Sequence, residues 1–309
     1  MLTAVALLAG CSAGSPTAPQ PLANPSTVLG PLRPDAQFYG YDDVYSAQTL
    51  ANTATVYKRK GLTLTPVQTL SIGIAAPQGT VTTPTGWWYL TNAGDADVLV
   101  YRSSRKGPIG PVRTLDDSGE VPVDVSVTPD RNLVAVSNAT SGTSGSGSVS
   151  VYLDRGSAPS RVLTYGTGVV QGQGIAIDPQ GNCFWSFNDA SKPSASGSIV
   201  EFAQCSGAGT LVASGITHAG GLAFDPAGDL YYVDEGSGIY RCRQTSRCKL
   251  FATGFGLPTN INFDHNHKNL WVADATGFID AVNPKTGEIK SQTMSIDGDP
   301  YGIAPAPGG

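Results

Sequence analysis

Charge is scarce in this chain. Asp, Glu, Lys and Arg make up 14% of its 309 residues, against about a quarter in ordinary soluble domains. The longest basic run is Lys58-Arg59-Lys60 and the formal net charge is −5. No run longer than this supplies the basic face that a nucleic-acid binder turns towards phosphates, and nucleic acid is not expected as a partner. No apolar run reaches the roughly 20 residues that a membrane-spanning helix needs. There is no Walker phosphate loop, no H-E-x-x-H helix and no G-x-S-x-G elbow, so the commonest nucleotide, zinc-protease and serine-hydrolase signatures are absent. Long helical patterns are absent as well. Gly (38 residues) and Pro (22) punctuate the whole chain, and both penalise helix interiors. What remains is a succession of short apolar runs between turn residues, the pattern of an all-β protein.

The first residues carry a local signal of another kind. Residues 2–9 (LTAVALLA) are almost wholly apolar and lead into Leu8-Ala9-Gly10-Cys11. The run is too short to span a bilayer and has the length of a signal-peptide core. With its L-A-G-C ending it resembles the lipobox of bacterial lipoproteins, in which the cysteine becomes the lipidated first residue after cleavage. The resemblance implies a signal peptide over residues 1–10 and acyl chains on Cys11, two or more of which give stable membrane anchoring. No Lys or Arg precedes the apolar run, which a start codon further upstream would explain. Residues 12–34 are rich in Pro, Ser, Ala and Gly, the composition of a semi-extended tether. The expected organisation is signal peptide 1–10, lipidated Cys11 and tether 11–34, and one folded domain over 35–309. The expected address is the bacterial cell envelope, with the membrane contacted through the lipid.

Four further cysteines fit an exported protein. Cys183 and Cys205 flank a predicted hairpin, and Cys242 and Cys248 flank a short turn. Four cysteines allow three pairings; local spacing selects Cys183–Cys205 and Cys242–Cys248. Metal binding is the rival use, but the C-x₂-C spacing of a zinc site does not occur.

The fold follows from an internal repeat. The segments Gly73-IAAPQG, Val125-SVTPDR, Gly174-IAIDPQG, Gly221-LAFDPAG, Ile261-NFDHNH and Gly302-IAPAPG each read as a short strand ending in a turn. Anchored on Pro77, Pro129, Pro179, Pro226, His265 and Pro307, they step by 52, 50, 47, 39 and 42 residues, within the period of propeller blades. A second, third and fourth strand follow in each unit, for example Leu230-YYVDE, Gly238-IYRC and Lys249-LFAT. The C-terminus supplies a lone first strand at Tyr301-GIA. The region after the tether offers the other three, at Ala36-QFYGYDD, Ala54-TVYK and Pro66-VQTL. The expectation is a six-bladed β-propeller of four-stranded antiparallel blades, its last blade closed by strands from both termini. Closure of that kind removes open sheet edges.

The pattern G-[IL]-A-[IF]-D-P-x-G-x-L-[YW], read at Gly174, Gly221 and Asn260, resembles the NHL repeat and the six-bladed gluconolactonase/strictosidine-synthase-like superfamily. The resemblance implies a channel lined by the first strand of each blade, with ligand sites where the connecting loops gather. The polar residues at the starts of those strands are Glu120, Gln173, His218, Asn260 and Asp299. Hydrolases of the superfamily hold a Ca²⁺-like ion in the channel through Glu, Asn and Asp, and hard cations favour such oxygen donors. In that picture Glu120, Asn260 and Asp299 are metal ligands, His218 is a general base, and Gln173 faces the ligand. The family's metal-site glutamate sits on the first inner strand, whereas Ser71-IGIAA carries no acid. An Asn or Asp ends the second strand in five blades (Asn92, Asn138, Asn188, Asp234, Asp274); such recurrence points to turn capping.

These observations point to an envelope lipoprotein whose monomeric propeller binds a protein, glycan or small molecule on its loop face without catalysis. The alternative is a Ca²⁺-dependent lactonase or related hydrolase.

Overall fold

The computed structural model describes residues 42–104, 107–141, 145–166, 168–192 and 197–307. The expected signal peptide, Cys11 and the tether lie outside these residues. Within them the chain is all β apart from a single 3₁₀ turn at Ala203–Cys205. No helix is long and apolar enough to cross a membrane.

In chain order the strands are β1 (Asp43–Gln48), β2 (Thr53–Lys60) and β3 (Thr63–Leu70); β4 (Pro77–Thr82), β5 (Trp87–Asn92), β6 (Asp97–Arg102) and β7 (Ile109–Asp116); β8 (Glu120–Val127), β9 (Leu133–Ser141), β10 (Ser148–Leu153) and β11 (Arg161–Leu163). Then follow β12 (Val170–Ile177), β13 (Cys183–Asp189), β14 (Gly197–Phe202) and β15 (Thr210–Ile216); β16 (Ala219–Phe224), β17 (Leu230–Asp234), β18 (Gly238–Arg243) and β19 (Ser246–Ala252); β20 (Pro258–Phe263), β21 (Leu270–Asp274), β22 (Phe278–Val282), β23 (Ile289–Met294) and β24 (Pro300–Pro305). They form six four-stranded antiparallel sheets. Blade 1 has the order β24-β1-β2-β3, joining the end of the chain to its beginning. Blades 2 to 6 are β4–β7, β8–β11, β12–β15, β16–β19 and β20–β23. The innermost strands β4, β8, β12, β16, β20 and β24 touch in succession and close a ring.

The core is distributed around this ring rather than gathered at its centre. Each of six apolar clusters is shared by two neighbouring blades. Between blades 1 and 2, for example, Trp88 stacks between Tyr45 and Tyr101, with ring centroids 4.4 and 4.6 Å away. Strands caught between two such layers are apolar on both faces. All six residues of β1 and all five of β17 are buried. The outermost strands show mixed exposure, as in β3 and β23.

Two strand positions differ from the sequence expectation. The inner strand of blade 2 is β4, ending at the turn Thr83–Gly86, and it takes in only the Pro77-Gln78-Gly79 end of the segment Gly73-IAAPQG. The part before Pro77 is a connection: Gly73 and Ala76 have φ of +70° and +46°, which breaks an extended chain, and Ile72 is 93% exposed. With Pro84 as the turn residue the first step becomes 45. In blade 1 the strand beside β24 is β1, later in the chain than Ala36-QFYGYDD. Burial on both faces hides its period-2 pattern.

Both expected disulfides are present. Cys242 and Cys248 are directly opposite in the β18–β19 register. Cys183 on β13 pairs with Cys205 in the 3₁₀ turn just beyond β14, Cα atoms 4.8 Å apart. Two structural disulfides place the chain in an oxidising, exported compartment. Replacing Cys183 and Cys205 by Ser releases a 22-residue separation and is expected to cost about 3 kcal/mol of stability in urea unfolding. A midpoint unchanged from wild type would show that the bond constrains nothing.

Candidate functional site

The repeat determines what can occupy the channel. The equivalent repeat positions on the six inner strands are Gly79, Asp124, Gly174, Gly221, Asn260 and Gly302, in blades 2, 3, 4, 5, 6 and 1. A Cβ on Gly174 would sit 2.7 Å from Gly221 Cα, and one on Gly221 would sit 2.8 Å from Asn260 Cα. One on Gly79 would overlap Asp124, and one on Gly302 would overlap the Gln78 carbonyl. Glycine is therefore required at four of the six positions by close backbone approach. Only blades 3 and 6, opposite one another, carry side chains at this level. They meet: Asn260 Nδ2 donates to Asp124 Oδ1 at 3.1 Å.

This contact closes the channel at mid-depth. Ile175 N donates to the other Asp124 oxygen at 2.9 Å. Burial pushes the Asp124 carboxyl up to about 7, only partly offset by these hydrogen bonds. Asn260 Oδ1 is buried without a hydrogen-bond partner, an expensive condition for an amide oxygen.

On the side where the inner strands begin lies a polar cavity of about 50 Å³, lined by Gln78, Gln173, Thr259, Tyr301 and Glu235 above the Asp124–Asn260 pair. Glu235 follows β17 and accepts from His218 Nδ1 at 2.8 Å. Asn188 Nδ2 approaches His218 Nε2 at 3.3 Å, consistent with a proton on Nδ1 and a lone pair on Nε2. The Glu235 contact raises the His218 pKa. On the opposite side lies a cavity of about 170 Å³ with a mixed lining, in which Ile177, Phe224 and Phe263 stand with Thr82, Asn262, His265 and His267. Burial lowers the His265 pKa to about 4.

The expected site residues are divided by this geometry. Gln173 and Asn260 line the first cavity, and His218 reaches its rim through Glu235. Glu120 instead accepts from Ser148 Oγ at 2.8 Å. Asp299 accepts from Leu50 N at 3.0 Å in an exposed loop contact. Neither Glu120 nor Asp299 lines the cavity that holds Asn260. Among the described residues no group of three His, Cys, Asp or Glu side chains is arranged to hold a metal ion. Sequence reasoning missed Asp124 and Glu235. Asp124 had a usable signal, since it stands where the repeat has glycine, one residue before the segment anchored at Val125.

Four of the five recurring Asn and Asp residues at the ends of the second strands serve the backbone; Asn138 instead donates through Nδ2 to Ser148 Oγ and Ser150 Oγ. Asp274 accepts from Gly256 N and Leu257 N at 2.6 and 2.9 Å. Asp234 accepts from Thr217 N and His218 N, each at 3.2 Å. Asn92 accepts from Ala75 N at 2.6 Å and Asn188 from Ala219 N at 2.9 Å. Each holds the chain as it enters an inner strand, and this fixes the loops around the mouth.

No family model matches the chain, and no curated protein matches it. Solved structures do. A functionally unknown protein from Desulfotomaculum acetoxidans aligns with a TM-score of 0.60 at 12% identity, over 87% of this chain and 100% of its own. A 6-phosphogluconolactonase candidate from Bacteroides fragilis aligns with a TM-score of 0.59 at 14% identity, over 88% and 99%. Regucalcin from Agrobacterium tumefaciens, a calcium-binding protein, aligns with a TM-score of 0.50 at 14% identity, over 71% and 74%. At these identities the likeness establishes one thing: this chain shares the β-propeller fold of lactonase-like and regucalcin-like proteins.

Proposed function

We propose that the chain is an exported, lipid-anchored binding protein whose propeller grips a polar, hydroxyl- or amide-bearing ligand, a glycan or peptide segment, at the loop-face mouth of its channel. The observation that carries this reading is the seal made by Asp124 and Asn260 within a tier of four glycines. A ligand then rests on the mouth and does not enter the ring. The mouth offers amides from Gln78 and Gln173, hydroxyls from Thr259 and Tyr301, and the Glu235 carboxylate. Such a set exchanges hydrogen bonds with sugar hydroxyls or peptide groups and has little net charge. A lipid on Cys11 would hold the propeller at a membrane while the tether lets the mouth face its ligand.

The test is retention of immobilised oligosaccharides and peptides by the purified full chain. Wild type is expected to retain a ligand that the Gln173→Ala/Glu235→Ala variant binds at least tenfold more weakly, with an unchanged urea midpoint. Equal binding by the two proteins, or no retention by wild type across both libraries, would remove the proposal.

The unpartnered Asn260 Oδ1 beside Asp124 favours a second reading. One carboxylate and one amide oxygen, with two further amides nearby, suit the donor chemistry of Ca²⁺. In that reading Asp124 and Asn260 would hold the ion, which would supply Lewis-acid polarisation of an ester or lactone carbonyl. His218, oriented by Glu235, would serve as the base once Asn188 Nδ2 yields Nε2. A one-to-one Ca²⁺ site in calorimetry that Asp124→Asn abolishes, together with lactone turnover, would replace the binding reading with this one.

A further inference from the structure

The outer edge of blade 5 concentrates positive charge in an otherwise acidic protein. The hairpin of β18 and β19 reads Arg241-Cys-Arg243-Gln-Thr-Ser-Arg247-Cys-Lys249. The chain's 19 Lys and Arg thus place four within nine residues, against a net charge of −5. Strand geometry puts three of them on one side. Arg241 and Lys249 are directly opposite in the register, next to the Cys242–Cys248 pair. Successive strand residues point to opposite faces, so the disulfide occupies one face, where Cys242 is fully buried, and Arg241, Arg243 and Lys249 share the other; Arg247 sits in a bulge with φ of +53° and joins them at the cavity they line. Arg241, Arg243, Arg247, Lys249, Leu250 and Phe251 together line a cavity of about 340 Å³.

The charges on this face are unequally neutralised. Arg241 is held by Asp229 at 2.7 Å and Asp225 at 3.5 Å, with its guanidinium 5.4 Å from the centre of the Tyr231 ring. Among the described residues no acid pairs with Arg243, Arg247 or Lys249, all three exposed. Like charges facing each other across a strand pair are destabilising. Here a disulfide fixes the two strands that carry them, so the cluster keeps its shape without a counter-charge. Leu250, half exposed beside the cations, adds an apolar edge.

We propose that this face is an anion site that takes phosphate groups, carried by a soluble phosphate ester or by a phospholipid headgroup. Arg243 and Arg247 supply planar forks that pair with two oxygens of one phosphate, and Lys249 supplies a point charge beside them. Arg241, locked by its two aspartates, forms the floor. The site lies at the outer rim of blade 5, away from the channel mouth, and stands independently of the ligand proposed there.

The test uses the purified full chain with two probes, sodium pyrophosphate in calorimetry and phosphatidylcholine vesicles with or without phosphatidylglycerol in co-sedimentation. The triple variant Arg243→Ser/Arg247→Ser/Lys249→Ser is compared with Lys60→Ser/Lys268→Ser/Lys285→Ser, which removes the same charge from exposed positions elsewhere. Wild type is expected to bind, more weakly as salt rises because exposed charges are screened. The first variant is expected to lose at least tenfold in affinity and the second less than twofold. Pyrophosphate binding without added retention on phosphatidylglycerol identifies a soluble ester as the source. Retention on phosphatidylglycerol vesicles that pyrophosphate competes away identifies the headgroup. A readout that needs no variant is protection of Arg243 and Arg247 from phenylglyoxal by pyrophosphate, mapped by mass spectrometry. Equal losses in the two variants, no binding of either probe by wild type, or no protection of these two arginines would overturn the proposal.

Discussion

A chain that stops at Asp299 is expected not to fold cooperatively. The deleted segment is short, but β24 is the inner strand of blade 1 and pairs with β1 along its length. Its loss strips Ile303 from the layer between blades 6 and 1 and Ala304 from the layer between blades 1 and 2. Burying an isoleucine alone contributes roughly 1.5–3 kcal/mol. It also leaves polar groups unpaired. Asn262 Nδ2 donates to Ile303 O at 2.8 Å, Thr259 Oγ1 donates to Tyr301 O at 3.1 Å, and Thr82 Oγ1 donates to Pro305 O. The fully buried β1 would become an open edge, a template for aggregation. Together these losses approach the whole stability of a typical domain, about 5–15 kcal/mol. Urea unfolding followed by tryptophan fluorescence measures this. A single cooperative transition within about 0.5 M of the intact chain's midpoint would show that the ring does not need its closing strand. Gly302→Val tests the same closure by another route, because any Cβ there meets the Gln78 carbonyl.

The sequence carried the ring and its closure because a blade repeats its chemistry. Pro and Gly turns, Asn or Asp at the end of the second strand in five blades and a glycine on four of the six inner strands recur at intervals that need no structure to measure. The disulfide pairing was legible for a similar local reason, since each pair flanks its own hairpin. The errors came where burial erased periodicity. β1 is enclosed on both faces and shows no alternation. Gly73-IAAPQG has strand-like composition, but Gly73 and Ala76 turn the chain, so only its end from Pro77 onward joins the inner strand β4. The lining of the polar cavity was half legible. Gln173 and Asn260 were expected at the channel from their position at the start of an inner strand, and both line the cavity. Asp124 was not, because its role depends on a partner 136 residues away. Glu120 and Asp299 occupy similar places in the repeat, yet Glu120, at the first position of β8, turns to Ser148, and Asp299, just before β24, turns to Leu50. Place in the repeat predicts proximity to the channel, but not which way a side chain at the strand's entrance faces.

Stability is expected to fall as pH rises from 5 to 8, the reverse of a protein held together by ionised carboxylates. Burial pushes Asp280 and Asp124 up to about 7 and Asp117 up to about 6. A carboxyl with a raised pKa keeps its proton in the folded chain where the unfolded chain has released it. Its contribution is therefore complete below the unfolded value near 4 and is lost as pH climbs through the folded value. His265, lowered to about 4, acts in the opposite sense: its contribution grows as pH rises from 4 to about 6.5. The imidazole thus offsets part of the decline at lower pH and none of it above 6.5. His218, with a raised pKa, adds to the decline. Asp234 and Asp274 have lowered pKa values, so the stability they contribute is lost only in acid, below the usual carboxylate range. Asp280 isolates the effect because it lies on β22, away from the channel mouth, and is fully buried, with a hydrogen bond from the facing Gln292 offsetting only part of the cost of burial. Asp280→Asn replaces a group that must ionise with a neutral one of the same shape. At pH 8 it is expected to stabilise the fold on the order of 2 kcal/mol, raising Tm by about 5 °C. At pH 5, where Asp280 is protonated in the folded chain, it should change Tm little. Calorimetric melts of both proteins across this range decide the matter. A wild type that melts higher at pH 8 than at pH 5, or a variant that melts lower than wild type at pH 8, would mean that the buried carboxyls have found partners in solution that keep them ionised.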